Sequence, residues 1–170
     1  MLEVSLDRLW REGEARVDGQ IPADDPMWEG FDLEWTGPVA VHLRAAPAGS
    51  GEVVVRGTVS GVLRRECRRC LATVEADLDE EVTMVFADES EDGAAGEDDV
   101  RSLPRTGGAL DLREALREEV LLAIDPYVIC DAECRGLCPR CGKDLNEGPC
   151  DCADDEPDPR WDALRSLKDE

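Results

Sequence analysis

The chain has 170 residues, of which 42% are hydrophobic and only 4% aromatic, and its formal net charge is −22 at pH 7. That length suits one domain with a hydrophobic core and a small appendage, and the charge excludes coating of bare nucleic acid or membrane by general electrostatics and favours basic partners. No signal peptide and no apolar run near the ~20 residues of a transmembrane helix is visible, so we expect a cytoplasmic protein without a membrane partner or small-molecule substrate.

Valine-rich, partly alternating segments separated by Gly and Pro predict strands throughout the first 86 residues. The predicted strands are EARVDGQIP, PVAVHLRA, GEVVVRGTVSGVL and TVEADLDEEVTMVF. The third strand is expected to continue into the first cysteine pair. An antiparallel β-sheet or open barrel is the natural packing.

An acidic segment follows the strands. Residues 71–100 contain twelve acidic residues and no Lys or Arg, which predicts a mobile loop at about residues 87–105. Apolar residues at helical spacing then predict a helix from Leu112 to Ile124 that packs on the sheet, with a capping box at Asp111 and Glu114. Asp158 and Pro159 are typical of a helix start and predict a short terminal helix.

The predicted fold class is α+β. It consists of an antiparallel sheet or open barrel with a packed helix, a C-terminal cysteine-rich zinc-knuckle segment and the short terminal helix. We expect a β-rich core at residues 1–129, with the knuckle segment and terminal helix at 130–170 packed on it.

All eight cysteines are candidate metal ligands. In a reducing cytosol, this number of cysteines indicates metal or redox chemistry and disfavours disulfides. CPRCG is a strong zinc-turn pattern because the glycine after the second cysteine helps the bend, and CRRC is weaker because no glycine follows. The ligands are Cys67, Cys70, Cys130, Cys134, Cys138, Cys141, Cys150 and Cys152.

Local spacing favours two zinc ions. One would be held by Cys138, Cys141, Cys150 and Cys152, and the other by Cys67, Cys70, Cys130 and Cys134. A zinc-ribbon pairing of the two CxxC turns competes with this partition, and cysteine ligation also fits iron–sulfur clusters. Four-cysteine ligation leaves no open coordination position, which favours a structural site over a catalytic one.

Seven of the 19 basic residues lie beside the cysteines: Arg64, Arg65, Arg68, Arg69, Arg135, Arg140 and Lys143. They could form a local patch that binds RNA phosphate or a partner. The alternative is that they neutralise zinc thiolates and neighbouring carboxylates.

The order of CRRCL, DLREALREEVLLAIDP, the C-x3-C-RGLCPRCGKDLNEGPC-x-C segment and DPRWDALRSL resembles the YceD family of large ribosomal RNA subunit accumulation proteins. The resemblance implies a bacterial or organellar cytoplasmic protein without established catalytic activity. Its role would be in synthesis, processing or assembly of the large subunit and its 23S rRNA.

The leading hypothesis is therefore a non-enzymatic ribosome biogenesis factor that binds a basic ribosomal protein or a 23S rRNA precursor, or both. An acidic chain favours the protein partner. The alternatives are an RNA-processing enzyme, which needs an open metal site, and a zinc-thiol redox sensor, whose thiolates the neighbouring arginines would favour.

Overall fold

The computed structural model describes residues 2–49, 51–87, 100–104 and 108–152. Over these ranges the chain has an α+β fold, as predicted. Its elements, in order, are β1 (Glu3–Ser5), α1 (Leu6–Glu12), β2 (Ala15–Ile21), a 3-10 turn (Pro26–Trp28), β3 (Glu34–Trp35), β4 (Val39–Pro47), β5 (Val53–Glu66), β6 (Thr73–Ala87), β7 (Val100–Ser102), β8 (Ala109–Asp111) and α2 (Arg113–Ala123).

The main sheet is open and has six strands in the described ranges. Its order is β2-β4-β5-β6-β7, and β3 pairs with the far end of β5. These pairs are antiparallel except for β6 and β7, which run parallel. β1 and β8 form a separate two-stranded antiparallel sheet. All four predicted strands are present.

The core depends on aliphatic side chains because the chain has few aromatic residues. In β4, Val39, Val41, Leu43 and Ala45 are buried at alternate positions, as expected of a sheet with one face on a core. β5 and β6 continue this face, and α1 and α2 pack apolar side chains against it. Each fully buried side chain of this size contributes about 1.5–3 kcal/mol.

Helix α1 lies within the region that the sequence predicts to be strands only. It has seven residues and buries just Leu6 and Leu9, so its helical period is too short to register in the sequence. It ends at Gly13, whose φ is 75° and whose N–H donates to Leu9 O, the usual left-handed helix end.

The C-terminal half differs from the prediction in two details. Helix α2 spans Arg113–Ala123, one residue shorter at each end than predicted. Its N-cap is Leu112 and not Asp111 of the predicted capping box, although the Asp111 carboxylate accepts the Arg113 N–H at 2.9 Å. Val100–Ser102, inside the predicted loop, instead pair with β6, and Arg101 bridges Glu118 and Glu119 of α2. Residues 88–99 and 105 of the predicted loop, and the predicted terminal helix, lie outside the described residues.

β5 and β6 form a ribbon of 14 paired positions, from Val53 opposite Phe86 to Glu66 opposite Thr73. The CRRC sequence lies in the turn that joins them, so the third predicted strand does continue into the first cysteine pair. The ribbon therefore holds this pair at its far end, beyond the buried apolar cluster. Neither helix of the described chain is long and apolar enough to cross a membrane.

Candidate metal centres

The CRRC turn is closed by backbone hydrogen bonds. Cys67 donates to Ala72 O at 2.8 Å, and Leu71 donates to Cys67 O at 2.8 Å. The Arg69 N–H points at Cys67 Sγ, 3.4 Å away. Leu71 has φ 61°, a left-handed conformation that no other non-glycine residue of the described chain adopts.

The CPRC turn repeats this geometry. Gly142 donates to Cys138 O at 2.9 Å, and the Arg140 N–H lies 3.4 Å from Cys138 Sγ. Gly142 has φ 72° and is the counterpart of Leu71. The CRRC turn, although weaker as a sequence pattern, thus reaches the same conformation with leucine.

The first set of sulfur atoms joins two distant parts of the chain. Arg68 N–H donates to Val128 O at 2.9 Å, and the Arg69 guanidinium donates to Cys134 O at 2.9 Å. These contacts bring Cys134 Sγ to 3.9 Å from Cys67 Sγ and Cys130 Sγ to 3.6 Å from Cys70 Sγ. We call Cys67, Cys70, Cys130 and Cys134 group 1.

The second set is local. Cys150 Sγ lies 3.4 Å from Cys138 Sγ. The intervening loop is held by the Lys143 ammonium, which donates to Pro149 O at 2.7 Å, and by an isolated bridge between Leu137 and Asp144. We call Cys138, Cys141, Cys150 and Cys152 group 2.

Within each group the four sulfur atoms lie within 4.8 Å of one another. This is the partition that local spacing predicts, and the structure does not bring together the ligands of the competing zinc-ribbon partition. A tetrahedral zinc with Zn–S bonds of about 2.3 Å places its sulfurs roughly 3.8 Å apart. A disulfide needs about 2.05 Å, and all eight cysteines are free. Each group could therefore hold a metal ion and is compatible with zinc.

The turns also favour a thiolate at one sulfur of each group. Burial raises the pKa of Cys67, but the backbone N–H groups of Cys70, Cys130 and Arg69 outweigh it and lower the pKa to about 6. The N–H groups of Cys141 and Arg140 likewise lower the pKa of Cys138 to about 6. Stabilising a thiolate with backbone donors is what a metal ligand of this type requires.

The pKa of another thiol in each group is shifted in the opposite direction. Hydrogen bonding with Cys134, then with Cys70, raises the pKa of Cys130 to about 12. Hydrogen bonding with Cys141 and burial raise that of Cys152 to about 12. Four sulfurs packed together cannot all ionise unless a cation compensates them.

Asn146 is a residue of this region that the sequence reasoning missed. Its Nδ2 donates to Cys134 Sγ at 3.4 Å, although it belongs to the loop between Cys141 and Cys150. The available signal was weak: Asn146 is the chain's only asparagine and lies between two pairs of candidate ligands.

The predicted basic residues contact the cysteine segment itself. The Arg68 guanidinium lies 4.3 Å from the centroid of the Tyr127 ring, and Arg135 Nη2 donates to Asn146 O. Arg69 and Lys143 bind backbone carbonyls as described above. These contacts are those expected of residues that hold the turns together; RNA or partner binding by the seven remains a prediction.

Arg64 and Arg65 lie further down the ribbon, in a groove that is not uniformly basic. Arg64 is opposite Glu34 on β3 and Glu75 on β6. The two arginines line the groove with three acidic residues and a threonine: Asp32, Glu34, Glu66 and Thr73.

The chain is similar to known proteins over most of its length. A model of the YceD family, described as large ribosomal RNA subunit accumulation protein YceD, matches residues 55–168. That range begins in β5 and includes all eight cysteines.

Several relatives align with the chain. The uncharacterized protein Rv2926c of Mycobacterium tuberculosis is 34% identical over 169 residues, which cover 96% of this chain and 79% of the relative. ML1660 of Mycobacterium leprae is 29% identical over 79% of this chain and 61% of its own length. Large ribosomal RNA subunit accumulation protein YCED homolog 1, chloroplastic, of Arabidopsis thaliana is 36% identical over 61 residues, 36% of this chain and 19% of the relative. No solved structure matches the chain.

Proposed function

This chain belongs to the YceD family of large ribosomal RNA subunit accumulation proteins, and from that premise we propose that it is a non-enzymatic biogenesis factor of the large ribosomal subunit. It acts by binding a basic ribosomal protein before that protein is placed on ribosomal RNA. The family name supports the ribosomal role. The proposed compartment is the cytoplasm, as the sequence predicts.

The acidic outer face of β6 supports a basic protein partner. Glu75, Asp77, Asp79 and Glu81 occupy alternate positions of the strand, so they share one face at intervals of about 7 Å. Only Glu75 is opposite a cation on β5; Asp77, Asp79 and Glu81 are opposite Val62, Ser60 and Thr58. This row of carboxylates lies on a chain of net charge −22 and attracts cationic segments.

Crosslinking of the protein to large-subunit precursors tests the proposal. We expect co-sedimentation with the precursor and crosslinks to a basic ribosomal protein, and we expect purified protein with Mg²⁺ or Mn²⁺ to leave precursor rRNA intact. The quadruple variant E75Q/D77N/D79N/E81Q should lose most of the protein crosslinks, because it removes the four negative charges on the outer face of β6.

The matched control neutralises four exposed carboxylates on other elements, as E3Q/D7N/E29Q/E114Q, with the same change in net charge. It should retain the crosslinks. Crosslinks to RNA alone, or equal loss in both variants, would contradict binding of a basic protein by the β6 face.

We propose further that group 1 and group 2 each hold one zinc ion in a closed structural site. Four cysteine ligands complete the tetrahedron, so the ion supports the fold and has no open position for a substrate. Native mass spectrometry with metal analysis should give two zinc ions per chain, and one for Cys67→Ser or for Cys138→Ser. A single zinc in the unaltered chain, or iron in place of zinc, would overturn this scheme.

A further inference from the structure

We infer that the two cysteine groups take up metal as a coupled pair, and that Asn146 is the positioning residue through which group 2 strengthens metal binding at group 1. The inference rests on the proposed metal binding and adds to it a dependence of one site on the other. It assigns a role to a residue that is not itself a ligand.

The two groups are joined by a short and tightly held segment. Residues 135–137 separate Cys134, the last ligand of group 1, from Cys138, the first ligand of group 2. Leu137 N–H donates to Arg69 O of the CRRC turn at 3.0 Å, and Gly136 O accepts from Leu145 N–H of the group 2 loop at 2.9 Å. A Cβ at Gly136, which has φ 72°, would lie 2.8 Å from Arg69 O. The segment is thus in direct contact with both turns and has no space for displacement toward the CRRC turn.

Asn146 crosses from one group to the other. It lies in the loop that group 2 closes, and its Nδ2 donates to Cys134 Sγ of group 1 at 3.4 Å. Its Oδ1 accepts the Arg135 N–H at 2.8 Å, and its Nδ2 also donates to Asp144 Oδ1 at 2.8 Å. The Arg135 N–H needs an acceptor, which fixes the amide orientation with the nitrogen toward the sulfur.

The contact orients a ligand of group 1. A hydrogen bond from a residue outside the ligand set holds the ligand atom in position for the metal. Removing such an outer contact from a metal ligand typically lowers metal affinity about 10- to 100-fold.

The direction of the coupling follows from the position of Asn146. A metal in group 2 links Cys138 and Cys141 to Cys150 and so closes the loop that carries Asn146. Group 1 then binds its ion while the Asn146 amide that donates to Cys134 Sγ is already in place. Because the two binding free energies are linked, a metal in group 1 raises the metal affinity of group 2 by the same factor.

Cadmium-113 NMR and zinc competition with a chromophoric chelator test the inference on the full chain. Cadmium gives one resonance for each four-sulfur site. The variants Cys67→Ser and Cys138→Ser show which resonance belongs to which group, because each removes a ligand of one group. Asn146→Ala should lower the metal affinity of group 1 by about 10- to 100-fold and shift its cadmium resonance. The metal affinity of group 2 should fall by less. Asn146→Asp keeps the acceptor for Arg135 but lacks the donor to sulfur, so it should weaken group 1 as well. Glu147→Gln, an exposed neighbour in the same loop, should leave both sites unchanged.

A double-mutant cycle separates coupling from a general loss of structure. Cys150→Ser with Cys152→Ser disables group 2 and should weaken group 1 when Asn146 is present, but add little to Asn146→Ala. If both sites load and group 1 is indifferent to Asn146 and to group 2, this inference fails while the zinc proposal stands. If the unaltered chain binds no zinc or cadmium, the zinc proposal fails.

Discussion

Leu71 adopts the backbone conformation that Gly142 adopts at the corresponding place in the second cysteine turn. For a residue with a Cβ the left-handed region costs about 1–2 kcal/mol. Leu71 is 58% exposed, so the packing of its side chain offsets little of this conformational free energy. The contacts of Cys67 with Leu71 and Ala72 hold it there.

Leu71→Gly should therefore stabilise the metal-loaded protein, by about 0.5–1 kcal/mol once the entropy of the more flexible unfolded chain is subtracted. Urea unfolding in excess zinc measures the change. The opposite change in the second turn, Gly142→Ala, should cost about 1 kcal/mol. The cost comes from the backbone conformation, because no atom beyond the neighbouring residues lies within 4 Å of the added Cβ. A destabilising Leu71→Gly would mean that its side chain packs more than its exposure indicates.

The sequence predicted which cysteines lie together but not the residues around them. CxxC turns are local, so their spacing indicates which thiols converge. Leu71 takes a conformation usual for glycine, and Asn146 donates to a cysteine that belongs to the other group and lies 12 positions earlier in the chain. Neither has a residue type that marks a metal site. The basic residues were visible, but their contacts with carbonyls and with Tyr127 were not.

At the scale of elements, one ion pair fastens α2 to the 3-10 turn. Asp25 accepts from Arg113 Nη1 at 2.8 Å and from Met27 N at 3.0 Å, and its side chain is 13% exposed. The Arg113 guanidinium, then the Met27 N–H, hold the pKa of Asp25 below its usual value. A carboxyl whose pKa falls on folding contributes stability above its unfolded pKa, about 3.9, and loses it as the pH falls through the folded pKa.

Asp25→Asn should lower the free energy of unfolding at pH 7 by roughly 0.5–1 kcal/mol, since Arg113 is partly exposed. The difference from the unaltered chain should hold from pH 8 to 5 and shrink below pH 4. Paired urea unfolding curves at each pH measure it, and metal loss at low pH cancels because both proteins share it. Asp24→Asn, an exposed neighbour, serves as control. A difference independent of pH down to pH 2 would contradict the role of the carboxylate charge.

Long elements were the most predictable. β4, β5 and β6 each carry enough alternating apolar residues to be predicted directly, and α2 has a continuous apolar face at helical spacing. Short elements were not: α1 has one buried pair of leucines, and β7 is a strand because it lies beside β6 and because Arg101 reaches α2. Their stability comes from tertiary contacts, which no local pattern records.

At the scale of the whole molecule, apolar burial is divided unequally. The main cluster joins both sheets and both helices. Among the described residues, the cluster at the cysteines consists of Cys67, Cys70 and Cys134, with Val74 and Leu137 packed against them. So small an apolar contact does not offset the entropy of ordering some 25 residues. The proposed metal ions would supply the difference.

Chelation of the metal should therefore unfold residues 128–152 while the sheet persists. Hydrogen exchange with mass spectrometry should show loss of protection in that segment and in the CRRC turn, and retained protection in β4 and the core half of β5. Re-addition of zinc should restore it. Global loss of protection on chelation would mean that the sheet depends on the metal; no change would mean that the segment folds without it.

Group 1 takes its cysteines from two distant segments of the chain, and this affects the order in which the site forms during synthesis. Cys70 and Cys130 are 60 positions apart, whereas Cys138 and Cys150 are 12 apart. Closing the longer loop costs roughly 1.4 kcal/mol more. Group 1 cannot be completed until Cys134 has left the ribosome. Until then the CRRC pair is a half-built site on a finished hairpin. Translation of Cys130 and Cys134 thus decides when the first pair can complete the proposed metal site.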